Sequence, residues 1–289
     1  MTEHTKESQR GKTIIVTGAN SGIGYYAALD LGKAGAHVIV AARSEERGQK
    51  AVEEMKKADP EGKYELELLD VSDLESVREF AKRFLARGIP LDTLINNAGV
   101  MQLPERQLSK EGVEMQWATN VVGPFALTGL LMPKLKESKS PRVVNVSSVA
   151  ADASVLTKET LDLTEASDKY DTEKVYNDTK MANQALTLAL NKRYPQVMAL
   201  AVHPGVASTN LFNNNKFKDM ASQFAAPSAG CQTTVRAVTD VAAKAGMYFG
   251  PKERYSGPPV VTEWSKTSLK EDLQEALWDA CVKITRVTF

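Results

Sequence analysis

Thr13-Ile14-Ile15-Val16-Thr17-Gly18-Ala19-Asn20-Ser21-Gly22-Ile23-Gly24 is an apolar run that passes directly into a glycine-rich loop and then into a helical pattern. Residues 13–17 read as a buried strand. The glycines after it let the backbone turn tightly and approach a pyrophosphate, whose charge the next helix's N-terminus meets. The spacing is G-x-x-x-G-x-G, which departs from the general dinucleotide fingerprint G-x-G-x-x-G. Such a loop alone is also what an ordinary βα turn looks like. Its place after the first strand and before a helix favours the phosphate cradle.

Working outward, short apolar runs alternate with amphipathic stretches. Residues 38–42, 66–69, 93–96, 143–147 and 197–202 read as further strands, with 247–249 a short one near an edge. Helical periodicity covers roughly 24–34, 45–58, 73–86, 111–136, 174–193, 228–244 and 269–284. Ser72 with Glu75, and Ser268 with Glu271, have capping-box spacing. Alternating βα units predict a doubly wound, mostly parallel sheet with helices on both faces, a Rossmann fold of the α/β class. No linker or composition shift divides the chain, so one domain over 11–289 is expected behind a polar tail at 1–10. Two stretches break the rhythm, 151–172 and 206–228, and these are the expected substrate loops.

Composition narrows the function classes. Lys plus Arg equals Asp plus Glu at 36 each, so the chain lacks the basic excess that suits nucleic acid. Cys231 and Cys281 form no C-x-x-C, and His4, His37 and His203 have no metal-ligand spacing. Met1 to Lys12 carries no apolar signal region, and the near-apolar stretch 121–133 is too short to span a bilayer. A cytoplasmic protein without a membrane span is the expectation.

The end of the second strand reports on the nucleotide. An acid there would accept from a ribose 2′-hydroxyl and repel a 2′-phosphate. The chain has Ala41-Ala42-Arg43-Ser44 instead. A guanidinium pairs with phosphate through charge-assisted bonds, which favours NADP(H) over NAD(H). The plainer reading is that Arg43 only opens a solvated helix.

Tyr176 and Lys180 are four apart in a helical stretch and share a face. A nearby ammonium and a nicotinamide cation would draw the phenol from its ordinary pKa of about 10 toward working pH. A lone Tyr-x-x-x-Lys occurs in many helices; its company here gives it weight. Asn96-Asn97-Ala98-Gly99 closes the fourth strand, Asn120 lies in the next helix, and Ser147-Ser148 closes the fifth. Pro204-Gly205 follows the sixth, with Thr209 four residues on. Each stands at or after the carboxyl end of a strand, where doubly wound sheets bind ligands.

With these motifs the sequence closely resembles the short-chain dehydrogenase/reductase family over roughly residues 11–250. The Val144–Ser148 and Tyr176–Asn183 runs, and the 28 positions from Ser148 to Tyr176, resemble its retinol dehydrogenase and WW-domain oxidoreductase branch. The resemblance implies hydride transfer between NADP(H) and an apolar carbonyl or alcohol. Tyr176 would be the general acid/base, Ser148 would polarise the carbonyl, and Asn120 would hold a water in a relay to Lys180. Lys180 would also hold the nicotinamide ribose. Gly18, Asn20, Ser21, Gly22, Ile23 and Gly24 would cradle the pyrophosphate, with Arg43 and Ser44 at the adenosine phosphate. Asp70 and Val71 would flank the adenine, and Asn97, with Ala98 and Gly99, the adenosine ribose. After Pro204-Gly205, the Val206 backbone and Thr209 hydroxyl would grip the carboxamide. The family also allows a homodimer on the helices carrying Asn120 and Tyr176. Two alternatives stay open, a catalytically silent NADP-binding sensor or scaffold, and a C=C reductase on the same fold.

Two further expectations concern the loops. Phe217, Met220 and Phe224 are spaced for one face of a short amphipathic helix, which would make 206–228 a moving lid over an apolar substrate. Asp152, Glu159, Asp162, Glu165 and Asp168 would form an acidic outer rim. His203, Trp117 and the Tyr25-Tyr26 pair read as packing residues.

Overall fold

The computed structural model describes residues 7–166, 170–212 and 218–289. Thr13–Thr17 (β1) is buried along its whole length because it has a neighbour on each side and helices on both faces. The other strands are His37–Ala42 (β2), Lys63–Leu68 (β3), Thr93–Asn96 (β4), Arg142–Val146 (β5), Met198–Val202 (β6), Tyr248–Pro251 (β7) and Pro259–Val261 (β8). They form one sheet in the order β3-β2-β1-β4-β5-β6-β7-β8, parallel except for β8, which runs antiparallel to β7. This is the doubly wound Rossmann architecture.

The pleat sorts β1 between two cores. Ile15 packs with the layer of Phe80, Phe84, Leu127, Leu186 and Trp278, while Ile14 and Val16 pack with Ala28, Leu31, Met55 and Val238. The helices supplying these layers are Gly22–Lys33 (α1), Glu45–Ala58 (α2), Leu74–Ala86 (α3), Met115–Trp117 (α4), Gly123–Glu137 (α5), Thr172–Arg193 (α6), Pro227–Gly230 (α7), Gln232–Thr239 (α8) and Glu271–Thr285 (α9).

Several boundaries differ from the sequence expectation. β3 starts at Lys63, earlier than the apolar run at 66–69, because this edge strand alternates Lys63, Glu65 and Glu67 with Tyr64 and Leu66. The 111–136 pattern begins at Met115 and passes through a π-helical turn, Ala118–Val122, before α5. The 228–244 pattern divides at Cys231 and ends at Thr239. Neither expected capping box forms. Asp73, not Ser72, caps α3 by accepting from Glu75 N, and Ser72 donates its hydroxyl to Asp70 instead. Ser268 turns inward to Gln184 Oε1 at 3.0 Å, leaving Lys270 at the N-cap of α9 with no side-chain bond.

The tail is shorter than expected. Gln9 is buried, with its N–H donated to Ala34 O at 3.0 Å. At the other end α9 packs across α5 and α6, where Phe125, Trp278 and Phe289 join rings 4.8–4.9 Å apart. α9 thus packs on α6, one of the helices expected to carry the homodimer.

Candidate active site

The cradle is built where β1 and β4 end side by side. Thr17, which the sequence reading passed over, accepts from the N–H groups of Asn97 and Ala98 at 3.0 Å each and donates to Ile95 O. Asn97 returns an amide N–H to Thr17 O at 2.7 Å. This cross-tie leaves no room for side chains on the facing turn. A Cβ on Gly18, whose φ is +68°, would lie 2.9 Å from Ala98 Cα, and one on Gly24 would lie 2.4 Å from Asn97 Nδ2. Asn20, Ser21, Gly22 and Ile23 are half-buried between them. Ser21 is the N-cap of α1 but gives it no side-chain hydrogen bond, so the helix's positive end is free for an anion.

Beside the cradle, Arg43 projects from the end of β2 with 69% of its side chain exposed and a guanidinium nitrogen 3.6 Å from Asp70 Oδ2. So exposed a pair is worth about 0–1 kcal/mol, little enough for a phosphate to displace. Asp70 is fixed by the N–H and hydroxyl of Ser72 at 2.9 and 2.6 Å. Ser44 caps α2 by accepting from Arg47 N, and Val71 is buried.

Tyr176 and Lys180 lie in the first half of α6, which opens on Asp171 as N-cap. Each is only 5% exposed. The two serines that follow β5 both meet α6. Ser147 donates to Lys180 O at 2.7 Å, while Ser148 accepts from Ala150 N and its hydroxyl stands close enough to the Tyr176 phenol to favour the ionised form. The Lys180 ammonium donates to Val146 O at 3.0 Å and stands 5.8 Å from the centre of the Tyr176 ring.

The protein groups alone act against the expected lowering of the Tyr176 pKa. Burial pushes Tyr176 up to about 12, against the lowering effect of its bond to Ser148. Burial also draws Lys180 down to about 8. The neighbouring ammonium does not win because it is itself desolvated and aimed at the Val146 carbonyl. With the protein groups alone, the phenol is therefore in its acid form at neutral pH.

Asn120 sits in the π-helical turn, which no local sequence signal announces. Its amide clamps Val100, accepting from Val100 N at 2.9 Å and donating to Val100 O at 3.0 Å, and its other N–H goes to Thr179 Oγ1 at 3.0 Å. A Cβ on Gly99 would lie 3.1 Å from Asn120 Oδ1 and 3.5 Å from Lys180 Nζ, so both groups border that residue. With both amide N–H groups committed, any water between Asn120 and Lys180 meets the carbonyl oxygen.

After β6, His203 is buried and pushed down to about 4 by desolvation, so it stays neutral and accepts from Gly205 N. Val206 donates its N–H to Tyr255 O at 2.9 Å and accepts from Ala225 N at 3.3 Å. Its backbone is thus engaged with protein at the position expected to meet a carboxamide. Thr209 Oγ1 accepts from Leu211 N at 3.3 Å, which leaves the hydroxyl proton to donate.

A family model described as short chain dehydrogenase matches residues 12–159. The chain is a short-chain dehydrogenase. It is 41% identical over 212 residues to the chloroplastic short-chain dehydrogenase TIC 32 B of Brassica napus, covering 70% of this chain and 66% of that protein, just short of two thirds. It is 36% identical over 253 residues to retinol dehydrogenase 12 of Mus musculus, covering 84% and 79% of the two chains, which places it in the retinol dehydrogenase-like branch. The crystal structure of an uncharacterized protein from Mycobacterium Paratuberculosis superposes with a TM-score of 0.82 at 32% identity, covering 98% of this chain and 97% of that one.

The walls of the dehydrogenase's site differ from the expected lid and rim. Ser208 N donates to Ala225 O, closing the base of the 206–228 segment, and Lys218–Gln223 forms 3-10 turns in place of the expected amphipathic helix. Phe224 packs on Phe212 at 5.0 Å, Met220 is exposed, and Phe217 lies outside the described residues. Asp152, Glu159 and Asp162 are exposed as an outer rim requires, whereas Glu165 turns inward to accept from Trp117 Nε1 at 3.2 Å. Asp168 is outside the described residues. An unanticipated third wall is the turn between β7 and β8, where Arg254 pairs with Asp152 at 2.9 Å. Cys231 and Cys281 are buried thiols that burial pushes up to about 12, and Cys231 lies in the small apolar cluster that includes Ile23. Among the described residues no helix is long and apolar enough to cross a membrane.

Proposed function

We propose that this dehydrogenase interconverts an apolar carbonyl compound and its alcohol using NADP(H). The observation that carries the reading is the buried Tyr176 with the Ser148 hydroxyl and Lys180 beside it, close to the strand ends that form the glycine cradle. The cradle, the uncapped start of α1 and Arg43 suit a dinucleotide bearing a 2′-phosphate, and Asn97, Asp70 and Thr209 would complete its binding. When bound, NADP(H) supplies or accepts the hydride. In the reductive direction Ser148 donates a hydrogen bond to the substrate oxygen and Tyr176 Oη delivers the proton to the developing alkoxide. Lys180 restores that proton through a relay that reaches Asn120 Oδ1. A likeness to retinol dehydrogenases favours an apolar substrate, and Phe212 and Met220 in the 206–228 wall are consistent with it.

Two measurements test the reading. NADPH consumption is followed against aldehydes, ketones, quinones, retinal and steroids; tight NADPH binding with no turnover on any of them points instead to the sensor role. Cofactor affinity is measured in parallel for the native chain and Arg43→Ala. Losing one charge-assisted bond of about 1.5–3 kcal/mol is expected to weaken NADPH roughly ten- to hundredfold. NADH should change little, and high salt should shrink the difference because the guanidinium is exposed. Equal native affinity for the two cofactors overturns the preference.

A further inference from the structure

Asp178 has no part in the chemistry above, yet it lies on α6 between Tyr176 and Lys180 and is fully buried. At about 100° per residue it sits roughly 200° around the helix from either of them. A carboxylate in such a place is tolerated only when its oxygens are satisfied. Oδ1 accepts from Ser154 Oγ at 2.5 Å and Oδ2 from Lys174 Nζ at 2.8 Å.

Ser154 is the far end of the turn that begins at Ser148. Ser148 caps the 3-10 helix Val149–Ala153, with its hydroxyl accepting from Ala150 N and its carbonyl from Ala151 N. Ser154 N donates back to Ala151 O, its hydroxyl oxygen accepts from Leu156 N, and its carbonyl accepts from Thr267 Oγ1 at 2.8 Å. One short internally bonded segment therefore grips α6 twice. Its head meets Tyr176 through Ser148, and its tail meets Asp178 on the helix's other side.

We propose that Asp178 is a positioning residue, which by anchoring Ser154 fixes the Ser148 hydroxyl against the Tyr176 phenol. Ser147 ties the near end of the turn to Lys180 O and Ser154 ties its far end to Asp178, so the Ser148 hydroxyl is held between two anchors on α6 and the second is the Asp178 contact. The proposal rests on the Ser148–Tyr176 reading of the site. A misplacement of about 1 Å costs up to a hundredfold in rate, so releasing this anchor should cost about tenfold.

The experiment compares kcat per NADPH-binding site, carbonyl KM and NADPH Kd for Ser154→Ala, Asp178→Ala, Asp178→Asn and Ser148→Ala. Ser154→Ala and Asp178→Ala should each lower kcat about tenfold with KM and Kd within about twofold, and the double variant should be no slower than Asp178→Ala. Asp178→Asn keeps an acceptor for Ser154 and should recover most of the rate. A merely structural contact would reduce the number of NADPH-binding sites and leave kcat per site unchanged. If Asp178→Ala does not fold, Ser154→Ala carries the test, since it removes one hydroxyl. Native kcat in Ser154→Ala beside an inactive Ser148→Ala overturns the positioning role and leaves the site reading standing. Native kcat in Ser148→Ala overturns the site reading itself.

Discussion

Replacing Tyr176 by phenylalanine is expected to lower NADPH-dependent turnover by roughly 10²–10⁴, the usual share of general acid/base catalysis, with cofactor affinity unchanged. The reason is local. The ring is 5% exposed and fills its place through packing, which phenylalanine preserves. What disappears is the hydroxyl beside Ser148, the proposed proton source, whose pKa burial pushes up to about 12. Ser148 and the hydride donor remain, so catalysis should fall without vanishing. Turnover within a few-fold of the native enzyme would remove Tyr176 from the mechanism, and initial rates at saturating NADPH decide it.

Lys180→Met is expected to abolish useful turnover and at the same time stabilise the fold at neutral pH. Burial draws Lys180 from its ordinary 10.5 down to about 8. Between those values the unfolded chain holds more protons than the folded one, so the Lys180 contribution to stability rises with pH across about 8–10.5. Below 8 both states carry the ammonium, and the full cost of burying it is present. Methionine has similar length and no charge. The Val146 carbonyl that loses Nζ retains an N–H from Asn183 at 3.4 Å. The expected gain at pH 7 is about 1–3 kcal/mol, or several degrees in Tm. In the proposed mechanism the same change removes the group that would recharge Tyr176 and hold the cofactor ribose. A lower Tm for Lys180→Met at pH 7, by calorimetry, contradicts the desolvation argument.

The parts of this site visible in the sequence are those that regular geometry places. Tyr176 and Lys180 share a helical face by spacing alone, and β1, β4 and β5 carry the short apolar runs Ile14–Val16, Leu94–Ile95 and Val143–Val144 because both of their faces are covered. Residue identity at a strand end told which polar groups would meet, but not which way adjacent ones would face. Ser147 and Ser148 are distinguished only by what each meets on α6. β3 and β8 were obscured because edge strands alternate or shorten. The π-helical turn under Asn120 depends on packing between distant segments, as does the Thr17 cross-tie to Asn97. The direction of the Tyr176 shift was also beyond sequence. Spacing puts an ammonium nearby, whereas burial, which decides the outcome, is a property of the assembled core. For the same reason the charge pattern of 151–172 suggested a rim and could not show Glu165 folding inward to Trp117.

In the proposed reduction a protonated Tyr176, supported by Lys180 that burial draws down to about 8, delivers the proton to the carbonyl oxygen. The most direct measurement is the pH dependence of NADPH-driven reduction at saturating substrate, taken from about pH 6 to 10. A plateau through neutrality is expected, because the phenol is in its acid form throughout, followed by a single falling limb near pH 8 as Lys180 loses its proton. A rate that climbs with pH across that range would mean the ionised form of a group is required, and would contradict the claim.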